Sequence, residues 1–186
     1  MAVYQILGEK DPVLRQKSKA IPNVTPNVVK LLDNLNDTLR DNGNGVGLAA
    51  PQIGILKRAL VIIIPPEEDA ETEEDKAVVS ESPKPSENPN INADMEEIYE
   101  IINPVILERE GLIRDTEGCL SLPDLTGEVD RFEKVRVGGL NRKGEPVEYS
   151  AEGFLARVFQ HEIDHLDGIL FVDRAVSVKP LEKSNE

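Results

Sequence analysis

The 186-residue sequence contains a single cysteine, two histidines and no tryptophan. One cysteine cannot close an intramolecular disulfide, and a chain of this length buries enough surface to fold without such staples. No apolar run approaches the ~18 residues that a membrane-spanning helix needs. The opening stretch MAVYQILGEKDPVLRQKS lacks the apolar centre of a secretory signal and is not especially rich in serine or arginine. These absences lead us to expect a soluble protein of a reducing compartment, a cytoplasm or equally a plastid stroma, with no membrane partner. The shortage of thiol and imidazole is the most restrictive. Any transition metal would have to draw its sulfur and nitrogen ligands from Cys119, His161 and His165, with a carboxylate or water completing the set.

Basic charge is also scarce, with a net charge of -14, but the imbalance is local. Residues 65–97 carry twelve acids against Lys76 and Lys84, and so hold -10 of that charge. Proline, serine, asparagine and glutamate dominate the stretch and aromatics are missing, a composition that does not offset its own ordering entropy. Either a solvated loop or an acidic arm for a basic partner fits it. In both cases it is an insertion between strands of a single catalytic domain spanning 1–186. No DNA partner is expected.

Around this insertion, Thr25-Pro26 reads as a helix start, with Thr25 as the cap. Val28, Val29, Leu31, Leu32, Leu35 and Leu39 recur at helical spacing, and Asn42-Gly43 closes the pattern, predicting a helix over 26–40. The run RALVIII (58–64) predicts a buried strand, and EIINPVIL (100–107) a second one, with Pro104 moving its middle to an edge or a bulge. Strands are expected at 134–140 and 147–149, followed by a helix over 152–166 capped by Ser150 and ended by Asp167-Gly168. The fold class is therefore α+β: short mixed sheets packed around a C-terminal metal-binding helix, with an N-terminal helix.

On that last helix His161 and His165 lie four residues apart, so both rings project from one face and can grip one ion. Glu162 sits beside the pair, where a carboxylate can take a proton from water and return it to a leaving group. Cys119, in EGCLSLP, admits three readings: a buried small hydrophobe, a nucleophile, or the third ligand. Its setting suggests an irregular loop, and the paired histidines make the ligand reading the most economical. Three ligands leave one position open, as in catalytic rather than structural zinc sites.

The segment GVGLAAPQIG (45–54) lacks the lysine of a phosphate loop and the third glycine of a dinucleotide fingerprint. It reads either as a tight turn or as a backbone that pairs with an extended peptide, with Gln52 donating to a charged oxygen. Phe154, Arg157 and Val158 precede His161 on nearly the same helix face. Phe154 and Val158 suit either a side-chain pocket or the core. Arg157 suits either a carboxylate partner or a substrate backbone. An ion pair of Arg131 with Glu117 is expected, and Asp164 and Asp167 are expected behind the ligands or at the surface.

Three ordered motifs, Gly45 to Gln52, Glu117 to Ser121 and His161 to His165, make the chain resemble the peptide deformylase family, type 1B-like, over most of residues 1–175. The resemblance implies removal of the formyl group from the formylmethionine of nascent peptides. It implies Cys119, His161 and His165 as ligands of one divalent ion, Fe(II), for which Zn, Ni or Co can substitute. It also implies Glu162 as general acid/base, Gln52 and the Leu120 N–H as oxyanion donors, and Val46 and Gly47 along the peptide. A monomer that meets the ribosome transiently would follow. Two features depart from the family pattern: the size of the acidic insertion, and a tail, VSVKPLEKSNE, that is too short and proline-interrupted for a ribosome-docking helix. The competing readings are an HExxH metallopeptidase, disfavoured because only about twenty residues follow His165 to offer its usual downstream ligand, and an interaction protein, disfavoured by the intact Cys119, Glu162 and Gln52.

Overall fold

Two cores, one on each side of a sheet, account for the most apolar segment of the chain. Strand β2 (Ala59–Ile64) sends Leu60 and Ile62 into one cluster and Ala59, Val61 and Ile63 into the other. A strand covered on both faces has no polar side, so its sequence is continuously apolar. Helix α1 (Pro26–Asn42) covers one face with Val28, Leu31, Leu32, Leu35 and Leu39. Helix α2 (Gly153–Leu166) covers the other with Leu155, Val158, Phe159, Ile163 and Leu166. The computed structural model describes residues 2–65 and 96–181. The acidic insertion, apart from its ends, lies outside the described residues.

The sheet between the helices has the order β1-β2-β3-β6-β7, every pair antiparallel, with β1 (Gly47–Ala49), β3 (Glu97–Glu110), β6 (Lys134–Leu140) and β7 (Pro146–Glu152). A second sheet, β4 (Ile113–Cys119), β5 (Leu122–Arg131) and β8 (Ser177–Pro180), has β5 at its centre. Leu14, Leu122, Val129, Leu170 and Phe171 form a third core against it, together with the short helix α3 (Phe171–Arg174). The α+β class is as expected, and the tail expected to be too short for a docking helix supplies β8.

Several local expectations are corrected. Of the two settings expected around Pro104, the structure gives the bulge and not the edge, because β3 is the central strand. The register breaks between Ile102 and Val105, so the proline, which has no N–H, sits in a bulge. The bend is carried by Asn103 at φ 53, a left-handed conformation that asparagine tolerates. The Asn103 side chain accepts from Ile21 N and donates to Ile21 O, both at 2.8 Å. Helix α1 runs two residues past Arg40 to a left-handed Gly43, and Thr25 occupies the N-cap position without a side-chain hydrogen bond. Ser150 does not cap α2 but lies within β7, which continues directly into the helix. The β4–β5 hairpin was not foreseen. Most of β4 is exposed and its buried member is the charged Glu117, so no apolar alternation marks it.

Candidate active site

Three pieces of chain converge: the end of β4, helix α2 and the 45–54 segment. Strand β4 ends at Cys119, in a register break before β5, and so delivers the thiol from an ordered hairpin and not from the irregular loop expected. Helix α2 brings His161 and His165 one turn apart, their ring centroids 5.0 Å from each other. One ligand atom from each of Cys119, His161 and His165 falls within 4.8 Å of the others, and Cys119 Sγ is 3.3 Å from His165 Nε2. It is the one such group of histidine, cysteine, aspartate or glutamate among the described residues. A thiolate and two imidazoles suit a divalent transition ion and not calcium or magnesium.

The surroundings fit a cation at that point. His161 Nδ1 is engaged by Glu117 Oε2 at 2.9 Å, which fixes the ring and leaves its other nitrogen for the site. Burial opposes a proton on His161, but the hydrogen bonds of Cys119 and Glu117 outweigh it and push its pKa well above the ordinary imidazole value. The negative groups that favour a proton there also favour a metal cation. His165 is driven the other way, first by burial and then by the charges of His161 and Arg131, which keeps it neutral as a ligand must be. Glu162 is 4 % exposed, and burial pushes its carboxyl up to about 7, with His161 and Arg131 pulling downward and Glu117 upward. Its Oε2 is buried with no hydrogen-bond partner among the described residues, and so remains free to accept one.

The glycines of the 45–54 segment are explained by this crowding. A Cβ on Gly47 would lie 2.4 Å from Glu162 Oε1, and one on Gly45 would lie 2.7 Å from Leu120 Cδ1. Val46 uses its carbonyl on Ile63 N at 2.8 Å, so by alternation the N–H and C=O of Gly47 face the open edge of β1. Gln52, fully buried, is locked by the bond from Ala49 N to its Oε1 at 2.8 Å. That turns Nε2 toward Ser121 Oγ at 3.2 Å and Cys119 Sγ at 3.7 Å.

Glu117 is the site residue with the most unforeseen role. The expected pair with Arg131 is present and bidentate, at 2.8 and 2.9 Å, but the same carboxylate also holds His161 and Arg157. Burial would raise its pKa, yet the hydrogen bonds from Arg131 and His161 hold it well below the usual carboxylate range. Of the two partners considered for Arg157, the structure gives it the carboxylate. It is buried, donating to Glu117 Oε1 at 2.8 Å, Val129 O at 3.0 Å and Ile113 O at 3.0 Å, which pins the β4–β5 hairpin to α2. Val158 lies in the core and Phe154 is half-buried against it. Asp164 sits behind the ligands between Arg131 and Arg174, and Asp167 pairs with Arg58 at 2.7 Å. Ser121 and Arg174 were not singled out from sequence; Ser121 at least lies within the EGCLS motif.

Of two broad grooves, one of about 470 Å³ runs along Arg40, Glu100, Arg142 and Tyr149, and the other, of about 580 Å³, lies between Gly8–Pro12 and Ser121–Leu125 and so borders the site at Ser121. Neither is lined by Cys119, His161 or His165; the site is marked by its converging donors.

Residues 3–181 match the family model of polypeptide deformylase. The peptide deformylase of Carboxydothermus hydrogenoformans is 46% identical over 178 residues, 96% of this chain and 97% of that protein. That of Desulfitobacterium hafniense is 47% identical over 175 residues, 94% of this chain and 96% of its own. Among solved structures, peptide deformylase from Thermotoga maritima superposes with a TM-score of 0.74 at 34% identity, covering 95% of this chain and 100% of that one. The Met-Ala-Ser-bound class I type b enzyme from Acinetobacter baumannii gives a TM-score of 0.72 at 34% identity over 93% of this chain and 98% of its own.

Proposed function

The chain belongs to the polypeptide deformylase family, and from that premise we propose how its residues divide the work of removing the formyl group from N-terminal formylmethionine. The reading rests on the convergence of Cys119, His161 and His165 within 4.8 Å beside a buried carboxylate. These three side chains would hold one divalent ion, Fe(II), with Zn, Ni or Co as substitutes. Such an ion supplies Lewis acidity, polarising a carbonyl and making water acidic enough to lose its proton near neutral pH.

The chain's own groups carry the remaining steps. The extended peptide pairs with the outer edge of β1 through the free backbone groups of Gly47, beside Val46. Its methionine side chain lies against Phe154 and Val158. Glu162 takes the proton of the attacking water through its unpartnered oxygen and later delivers it to the departing amine nitrogen. Because the Gln52 amide oxygen is already engaged, Nε2 is the face it offers, and with the Leu120 N–H it donates to the oxyanion that develops on the formyl oxygen. Each such fixed donor is worth on the order of 3 kcal/mol in the transition state. The guanidinium of Arg157 is held inside the protein, so its part is to fix the β4–β5 hairpin beside the site.

The setting we propose is a single catalytic domain acting as a monomer in the bacterial cytoplasm and meeting the ribosome transiently, as a nascent-chain substrate requires. No helix among the described residues is long and apolar enough to cross a membrane. The deciding assay is formate release from formyl-Met-Ala-Ser by anaerobically prepared protein loaded with Fe(II), Ni(II) or Co(II). Glu162→Ala should lower kcat by about 10² to 10⁴. No formate with any of the metals, or cleavage of a peptide bond instead, would overturn the reading.

A further inference from the structure

Arg174 lies on α3, after the metal-binding helix, and the reaction above makes no use of it. Its fork closes on Asp164, Nε to Oδ2 at 2.6 Å and Nη2 to Oδ1 at 2.7 Å. Asp164 Oδ2 also accepts from Nη1 of Arg131, whose Nε and Nη2 hold the two oxygens of Glu117. Glu117 Oε2 then takes His161 Nδ1. A half-exposed arginine is thus connected to a metal-binding imidazole through three charged side chains that are all buried.

The two oxygens of Glu117 are not held alike. Oε1 has Arg157 as well as Arg131, whereas Oε2, the one His161 uses, is set by Arg131 alone. The tilt of Arg131 in turn depends on where Asp164 Oδ2 lies, and Arg174 grips both oxygens of that carboxylate. A solvent-exposed ion pair would matter little. In this one the inner partner is an aspartate 7 % exposed, already shared with a buried guanidinium. We infer that Arg174 is a positioning residue for the metal centre, fixing through Asp164 and Arg131 the Glu117 oxygen that orients the His161 ring. The inference rests on Cys119, His161 and His165 being the metal ligands.

The test uses Co(II)-loaded wild type, Arg174→Ala and Arg174→Lys, with Arg136→Ala as a control that breaks an exposed arginine pairing with Glu108 and Glu148 on the other sheet. Three quantities are measured: the rate at which excess chelator strips the metal, the visible Co(II) spectrum, and the Tm of the metal-free protein. Arg174→Ala should lose Co(II) about 10-fold faster with an altered spectrum, Arg174→Lys should fall between it and wild type, and Arg136→Ala should match wild type. The metal-free Tm of Arg174→Ala should fall no further than that of the control. Wild-type stripping rate and spectrum in Arg174→Ala overturn the inference whatever its Tm, and so does faster stripping with a larger metal-free Tm loss in both Arg174 variants. If Arg174→Ala does not fold, Arg174→Lys decides by the same criteria. Failure of the wild type itself to take up Co(II) is a separate result that removes the ligand assignment as well.

Discussion

At Gly47 the missing side chain is a measurable clearance. Any Cβ there would stand 2.4 Å from Glu162 Oε1, so Gly47→Ala must displace the carboxylate by about 1 Å, a shift that typically lowers turnover ~10²-fold. The loss should fall on kcat more than on KM, since the backbone groups of β1 stay in place. Steady-state kinetics on formyl-Met-Ala-Ser would show it, and an unchanged kcat would mean that Glu162 has slack. At this scale the sequence was informative. Both histidines, Glu162 and the cysteine lie in two short strings whose residue types admit few chemistries. Glu117 was only half legible, because its hold on His161 joins residues 44 apart and exists only once β4 is laid against α2.

Among the elements, the clearest contrast is between β2 and β3. Strand β2 and helices α1 and α2 could be read because burial imposes a period, or its absence, on their sequences. The centrality of β3 could not be read past Pro104, since a bulge is a property of the pairing and not of one strand. Asn103 sustains that bulge with a left-handed backbone and two bonds to Ile21. Asn103→Ala should therefore cost about 3 kcal/mol, roughly one for each hydrogen bond and one for the backbone. Asn103→Gly should recover about 1 kcal/mol of it. Urea unfolding of the two variants decides, and equal losses would mean that the backbone conformation carries no cost. The start of α1 was legible, since Thr25 does hold the N-cap position even without a side-chain bond, whereas Ser150, an equally good cap residue by type, lies inside β7 and leaves the N-cap of α2 to Glu152.

For the molecule as a whole, the acidic insertion joins two strands that are already paired, Ile64 opposite Glu97 in the ladder. The ends to be connected are thus cross-strand neighbours, and a two-residue turn can span them. Replacing residues 65–96 with Asn-Gly should leave kcat/KM on formyl-Met-Ala-Ser within about 2-fold and the Tm no lower, since shortening a loop reduces its closure entropy by ~0.6 kcal/mol per halving. Lost activity in that variant would make the segment part of the catalytic unit. The three donors proposed for the metal likewise straddle large pieces of the molecule. The sulfur comes from the end of a strand in the three-stranded sheet, and both imidazoles come from a helix seated on the five-stranded one. The donor triangle is therefore a gauge of the spacing between two layers. A repacking far from these donors that shifts one sheet against the other by a fraction of an ångström would register as a weakened grip on the proposed ion well before it registered as unfolding.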